Sequence, residues 1–208
     1  MPVVPPTPRF KIETTETNAT RFIVPSRKNW FTIFFLGFWL TGWAFGEIMV
    51  LGIMATSIFG AVAGKAPNAT TGLLGVSGFL LFWLAGWTVG GGFVIYTFFW
   101  QVAGKEVIEV SASGITIANK IFSFSRPKEF DSQYVKDLRV SQPADSMWSP
   151  WGRAGQFWGR GQGIIAFDYG AKTYRFGSGL DEAEAKMILS EIAQRCPQYL
   201  PRASQPGT

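Results

Sequence analysis

Two apolar runs, Trp30–Ala63 and Gly72–Trp100, dominate the hydrophobic pattern and flank the polar stretch GKAPNATT. Between Trp30 and Trp100 the only charged residues are Glu47 and Lys65. Each run exceeds the roughly 20 residues that cross a hydrocarbon core. The pattern predicts a two-helix transmembrane hairpin over 30–100 with its loop near 64–71. The first run starts too far into the chain, and is too long, for a cleaved leader.

On either side of this segment the period falls to two. In RFKIETTETNATRFIVPSR, Phe10, Ile12 and Thr14 alternate with polar neighbours, as do Phe22 and Val24, so residues 9–29 read as a strand pair. Beyond the hairpin, KEVIEVSASGITIANKIFSFSRPKEFD alternates, with a turn at Ser-Ala-Ser-Gly and a break at Arg126-Pro127 before KEFD, and YVKDLRVSQ follows as a further strand. GIIAFDYGAKTYRFGSG reads as a β-hairpin with Ile164, Ala166 and Asp168 on one face and Gly170 in the turn. LDEAEAKMILSEIAQRC has an apolar stripe at helical spacing, a capping box from Asp181 to Glu184, and Pro197 as its stop. Residues 1–8 and 197–208 read as a disordered lead and tail, and 101–196 as a soluble domain interrupted by a long loop at 142–163.

Flanking cations set an orientation. Arg21, Arg27 and Lys28 precede the first run and Lys105 follows the second, while the connecting loop has Lys65 alone. The positive-inside rule then puts both termini in the cytoplasm, with Trp30 and Trp100 at the inner interface. The formal net charge of +5 is diffuse, since residues 101–208 carry 13 Lys and Arg against 11 Asp and Glu. That excludes nucleic acid as the main partner. The single cysteine, Cys196, excludes an internal disulfide.

The element order resembles that of the bacterial pleckstrin-homology-like (PH-like) membrane proteins. GKEVIEVSASGITI, DLRV and KTYRFGSGLDEAEAKMILSEI carry the resemblance, which covers Arg9 to Cys196. It implies an α-helical transmembrane hairpin plus an α+β domain: a PH-like half-barrel of antiparallel strands capped by a C-terminal helix. It also implies a bacterial inner (plasma) membrane location. A shorter stretch, Trp87-Thr-Val-Gly90-Gly91-Gly92, is similar to one in the photosystem I assembly family of chloroplasts and cyanobacteria. Here it continues into VIYTFFW, which would keep the glycines inside the bilayer.

The chain has no histidine, which removes the commonest general base and metal ligand. Gly159-Arg-Gly161-Gln-Gly163 opens no helix and so lacks the dipole of a phosphate cradle. The sequence reads as non-enzymatic, without catalytic, metal or cofactor-binding residues. Three features stand out instead. The loop Gln142–Gly163 holds Trp148, Trp151, Arg153, Phe157, Trp158 and Arg160, a set suited to gripping a partner or lipid headgroups. Gly42-x-x-x-Gly46 and Gly86-x-x-x-Gly90 lie at similar depth and are expected to face each other across the hairpin. Glu47 is an intramembrane carboxylate, a functional residue by default. Counted from Trp30 it lies roughly 26 Å along the helix, close to the outer interface, or nearer the middle if the run exits later.

These features favour a non-catalytic membrane anchor or scaffold, an accessory or assembly subunit whose partners are the lipid bilayer and another membrane protein. The alternative is a homo-oligomeric transport or sensing protein built around Glu47.

Overall fold

The computed structural model describes residues 8–15, 19–63, 70–141 and 163–201. The chain divides into two compact units, residues 1–29 with 99–208, and residues 30–98.

The second of these is helical. Helix α1 runs Trp30–Val62 and α2 runs Thr70–Ala103, its last turns belonging to the first unit. Thr70 and Thr71, expected in the loop, are already helical, and α2 continues three residues past Trp100. Both helices are long and apolar enough to span a membrane. Only 6% and 11% of their most apolar windows is buried inside the molecule. At 1.5 Å per residue each is about 50 Å long, against about 30 Å for a hydrocarbon core.

The first unit consists of two antiparallel sheets and a helix. β1 (Lys11–Thr14), β2 (Thr20–Pro25), β3 (Gly104–Val110), β4 (Gly114–Ile121) and β5 (Phe124–Asp131) form one sheet in that order. β6 (Val135–Val140), β7 (Ile165–Tyr169) and β8 (Lys172–Phe176) form the other. No ladder joins the two sheets among the described residues, and the strands form no closed barrel. The whole of α1 and α2 is inserted between β2 and β3, which are nonetheless neighbours, paired from Thr20↔Val110 to Pro25↔Lys105. β3 begins at the residue after α2 ends.

Helix α3 (Glu182–Arg195) packs its apolar stripe, Ala185, Ile188 and Ile192, into the shared core. Phe22, Ile108, Ile115 and Phe130 meet it from the first sheet, and Leu138, Ile165, Phe167 and Phe176 from the second. The core face of β7 is therefore Ile165 and Phe167. The expected face of Ile164, Ala166 and Asp168 is one residue out of phase, because the run GIIAFDY is apolar throughout its first half. The tail expectation also fails at its start. Pro197–Tyr199 is a 3₁₀ turn that places Tyr199 in the core, where its hydroxyl donates to the Ser111 carbonyl at 2.7 Å.

Two carboxylates tie this unit together. Glu184 closes the capping box with Asp181 and also accepts from the Arg9 backbone N–H (2.9 Å), Nε (3.1 Å) and Nη2 (2.7 Å). Burial opposes its ionised form, but the Arg9 and Asp181 donors win and hold its carboxyl at about 2. Glu106, on β3, is buried and accepts from the N–H groups of Gly177 (2.9 Å) and Ser178 (3.2 Å) in the loop from β8 to α3. Gly177 has φ +78°, a left-handed conformation that glycine adopts without strain and that aims its N–H at the carboxylate. Burial pushes the Glu106 carboxyl up, and the two N–H bonds only partly offset it.

These contacts give opposite pH signatures. Glu184 is depressed in the folded state, so its contribution is present above its ordinary 4.5 and is lost as pH falls towards 2. Thermal melts of the detergent-solubilised chain should lose stability across that interval, and Arg9→Met should flatten the loss. For Glu106, the Gln variant keeps an acceptor and removes the buried charge. E106Q should melt at or above the wild-type temperature at neutral pH. E106L, which strands the two N–H groups, should be destabilised by about 1 to 3 kcal/mol.

Candidate functional site

The candidate site with described geometry lies in the helical unit, where α1 and α2 meet antiparallel. Glu47 is 17 residues after Trp30 and 15 before Val62, which puts it near the middle of α1 and not at its end. Its Oε1 accepts from Thr88 Oγ1 of α2 at 2.6 Å. Its Oε2 is buried and has no hydrogen-bond partner among the described residues. One turn earlier, Trp43 Nε1 donates to the Trp87 carbonyl at 3.2 Å. The Trp87 ring stacks on Trp83 at 4.8 Å and lies 6.1 Å from Trp39, and its own Nε1 is buried without a partner among the described residues.

The arrangement follows from helical spacing. Trp39, Trp43 and Glu47 recur every four residues and share one stripe of α1, while Trp83, Trp87 and Gly91 do the same on α2. A side chain on Gly91 would overlap the indole of Trp43, so the ring lies directly on the glycine backbone. Nearer the chain ends of the hairpin, the Phe98 ring covers Gly37, 3.6 Å from where a Cβ would sit.

The expected glycine face is not the packing face. A Cβ added at Gly42, Gly46, Gly86 or Gly90 would meet nothing within 4 Å. The physical reason is that indole rings fill the interface and hold the helices apart, so backbones do not approach at the small-residue stripes. The sequence reading missed Trp43 and Gly91, although Trp-x-x-x-Glu in α1 opposite Trp-x-x-x-Gly in α2 was a readable pairing.

Chemically, the site offers a carboxyl group with one oxygen hydrogen-bonded and, among the described residues, one without a partner. It can hold a helix or a small polar group by hydrogen bonds. Hydrogen bonding to Thr88 alone gives it no proton relay. In the sheet unit the other charged cluster is structural. Arg139 bridges Asp137 and Asp168 (3.1 Å to the latter), spanning the irregular register between Lys136 and Arg139 of β6. The bonds from Thr173 and Arg139 hold the Asp168 carboxyl below its usual range. No group of three or more His, Cys, Asp or Glu side chains is placed to hold a metal ion among the described residues.

Trp148, Trp151, Arg153, Phe157, Trp158 and Arg160 lie outside the described residues.

The two glycine classes separate on substitution. Gly91→Ala should lower the melting temperature of the purified chain, as an overpacked contact costing about 1 to 3 kcal/mol. Gly42→Ala, Gly46→Ala, Gly86→Ala and Gly90→Ala should melt within error of the wild type.

Comparison with protein-family models gives no match, and comparisons with curated proteins and with solved structures give none either.

Proposed function

We propose that the chain is a membrane-anchored scaffold. Helices α1 and α2 cross the bilayer as a hairpin, and the sheet unit is a PH-like domain presented at the membrane face. It binds a membrane-protein partner or lipid headgroups through the loop Gln142–Gly163, as an accessory or assembly subunit of a larger complex. The observation that carries this reading is the insertion itself: two long apolar helices leave from β2 and return into β3, adjacent strands of one sheet. A domain so interrupted keeps both ends of the hairpin on one side of the bilayer. Arg27, Lys28 and Lys105 beside those ends favour the cytoplasmic side, and with it an inner-membrane location with both termini inside. Two antiparallel sheets sharing one core with a C-terminal helix support the PH-like assignment.

A second reading has its own observation. Glu47 Oε2 and Trp87 Nε1 have no hydrogen-bond partner among the described residues, in a segment that lipid cannot satisfy. In a homo-oligomer, the same groups of neighbouring copies would line a shared transport or sensing site.

Affinity purification of the tagged chain in mild detergent, with mass spectrometry of what is retained, separates the two. The scaffold predicts a stoichiometric membrane complex, lost when Trp148, Trp151 and Trp158 are replaced by Ala and kept in E47Q. A clean homo-oligomer that depends on Glu47 and tolerates the tryptophan replacements would overturn it.

A further inference from the structure

The hairpin turn between β4 and β5 concentrates exposed apolar surface. Phe122 and Phe124 are 67% and 62% exposed, the highest values among the described large apolar side chains of the sheet unit. Phe122 sits at φ +51°, which a non-glycine residue adopts rarely, and the turn holds it there at the extreme tip. Its ring lies 5.7 Å from that of Phe99, in the last turns of α2 within the same unit. Val102, three residues further along α2, is also exposed, so apolar side chains are exposed on both the turn and the helix end.

Cations flank this end of the sheet on both faces, Lys105 and Lys120 on one and Arg126 and Lys128, with Phe124, on the other. Lys105 and Lys120 stand directly opposite each other on β3 and β4, an arrangement of like charges that destabilises a ladder. Arg126 and Lys128 follow on β5, with Arg126 lying 5.6 Å over the Phe124 ring. Arg27 and Lys28 come just after Pro25, which pairs with Lys105. None of these six makes an ion pair among the described residues. No acidic residue lies between Ile121 and Lys128, and Glu106, the nearest on β3, is buried under the Gly177 and Ser178 N–H groups.

Exposed rings with a collar of unpaired cations are costly in water and match the membrane interface, where aromatic rings settle among headgroups and cations meet anionic lipid. We propose that the β4–β5 turn is a membrane-inserting tip: Phe122 and Phe124 enter the interface beside the end of α2, and Lys105, Lys120, Arg126 and Lys128 bind anionic lipid headgroups. The proposal rests on the reading that α1 and α2 span the bilayer. It is independent of the tryptophan loop. The like-charged Lys105–Lys120 pair is then a device held apart for a shared anion.

Nitroxide accessibility of the full chain in nanodiscs tests it, with Cys196 replaced by Ala and single labels at Ser123→Cys, Ala112→Cys and Phe45→Cys. Ala112 lies in the exposed turn at the opposite end of β4, and Phe45 is 68% exposed near the middle of α1. Discs are made of phosphatidylcholine alone and of phosphatidylcholine mixed equally with phosphatidylglycerol. The Ser123 label should show a higher oxygen-to-nickel accessibility ratio than the Ala112 label. The ratio should rise further with phosphatidylglycerol, and fall to the Ala112 level when Phe122→Asn and Phe124→Ser are combined. A Ser123 label as open to nickel as Ala112, while the Phe45 label is lipid-exposed, overturns the tip and leaves the membrane reading standing. A ratio at Ser123 indifferent to phosphatidylglycerol overturns the anionic-lipid assignment. Shielding from oxygen and nickel together means a protein occupant, such as a second copy, and overturns the proposal. A Phe45 label open to nickel overturns the membrane reading and the tip with it.

Discussion

Everything in this chain depends on the ladder between β2 and β3. It joins residues from opposite sides of the helical insertion in one continuous register, and Ser26 N–H extends it by donating to the Gly104 carbonyl at 3.0 Å. Without it the sheet unit would be two fragments. Closing a ladder across so long an insertion would carry a loop-closure penalty if the insertion were a random coil. Here helices of 33 and 34 residues run antiparallel, so the insertion returns to the level it left. A preformed hairpin removes most of that penalty, which is why near-equal helix lengths matter as much as their hydrophobicity.

Within the hairpin the forces differ from those in the sheets. If lipid surrounds the helices, burying apolar side chains between them gains little, and specific contacts have to decide the pairing. Three do so along one seam: Phe98 over Gly37, Trp43 on Gly91 and the Trp87 carbonyl, and Thr88 on Glu47. Each links a large or polar group to backbone or hydroxyl, and they succeed one another six and four residues apart on α1 and seven and three on α2. The sheet unit instead draws on ordinary burial, with Phe22, Phe167, Phe176 and Tyr199 fully enclosed between two sheets and α3.

Sequence patterning made the helices, the β2 alternation and the Asp181–Glu184 capping box legible, because each depends on neighbours a few residues apart. It misplaced what depends on distant ones. The phase of β7 was hidden by adjacent apolar residues on both faces, and only packing against Phe130 and Tyr174 fixes it. Pro197 looked like the end of order, since a proline stops a helix, yet it starts the turn that buries Tyr199. The glycine stripes suggested close packing because small residues permit it. Permission is not contact, and three tryptophans and a phenylalanine took the interface first. The tryptophan–arginine loop lies outside the described residues.

The two buried carboxylate oxygens show the same lesson in its sharpest form. Glu47 was conspicuous because nothing near it in sequence is charged. Glu106 was invisible, one acidic residue in the mixed run KEVIEV, yet it is the more enclosed side chain. Strand alternation puts Lys105 outward and Glu106 inward, and the neighbouring sheet positions leave it facing the β8–α3 loop. There two backbone N–H groups, of Gly177 and Ser178, both donate to its Oε2, and only an acceptor oxygen at that place satisfies them. A carboxylate serves because one oxygen can receive both bonds, whereas an apolar residue of equal size would leave them orphaned. Glu106 therefore belongs to the fold. Glu47 ties α1 to α2 through Oε1 and Thr88, while its buried Oε2 has no hydrogen-bond partner among the described residues.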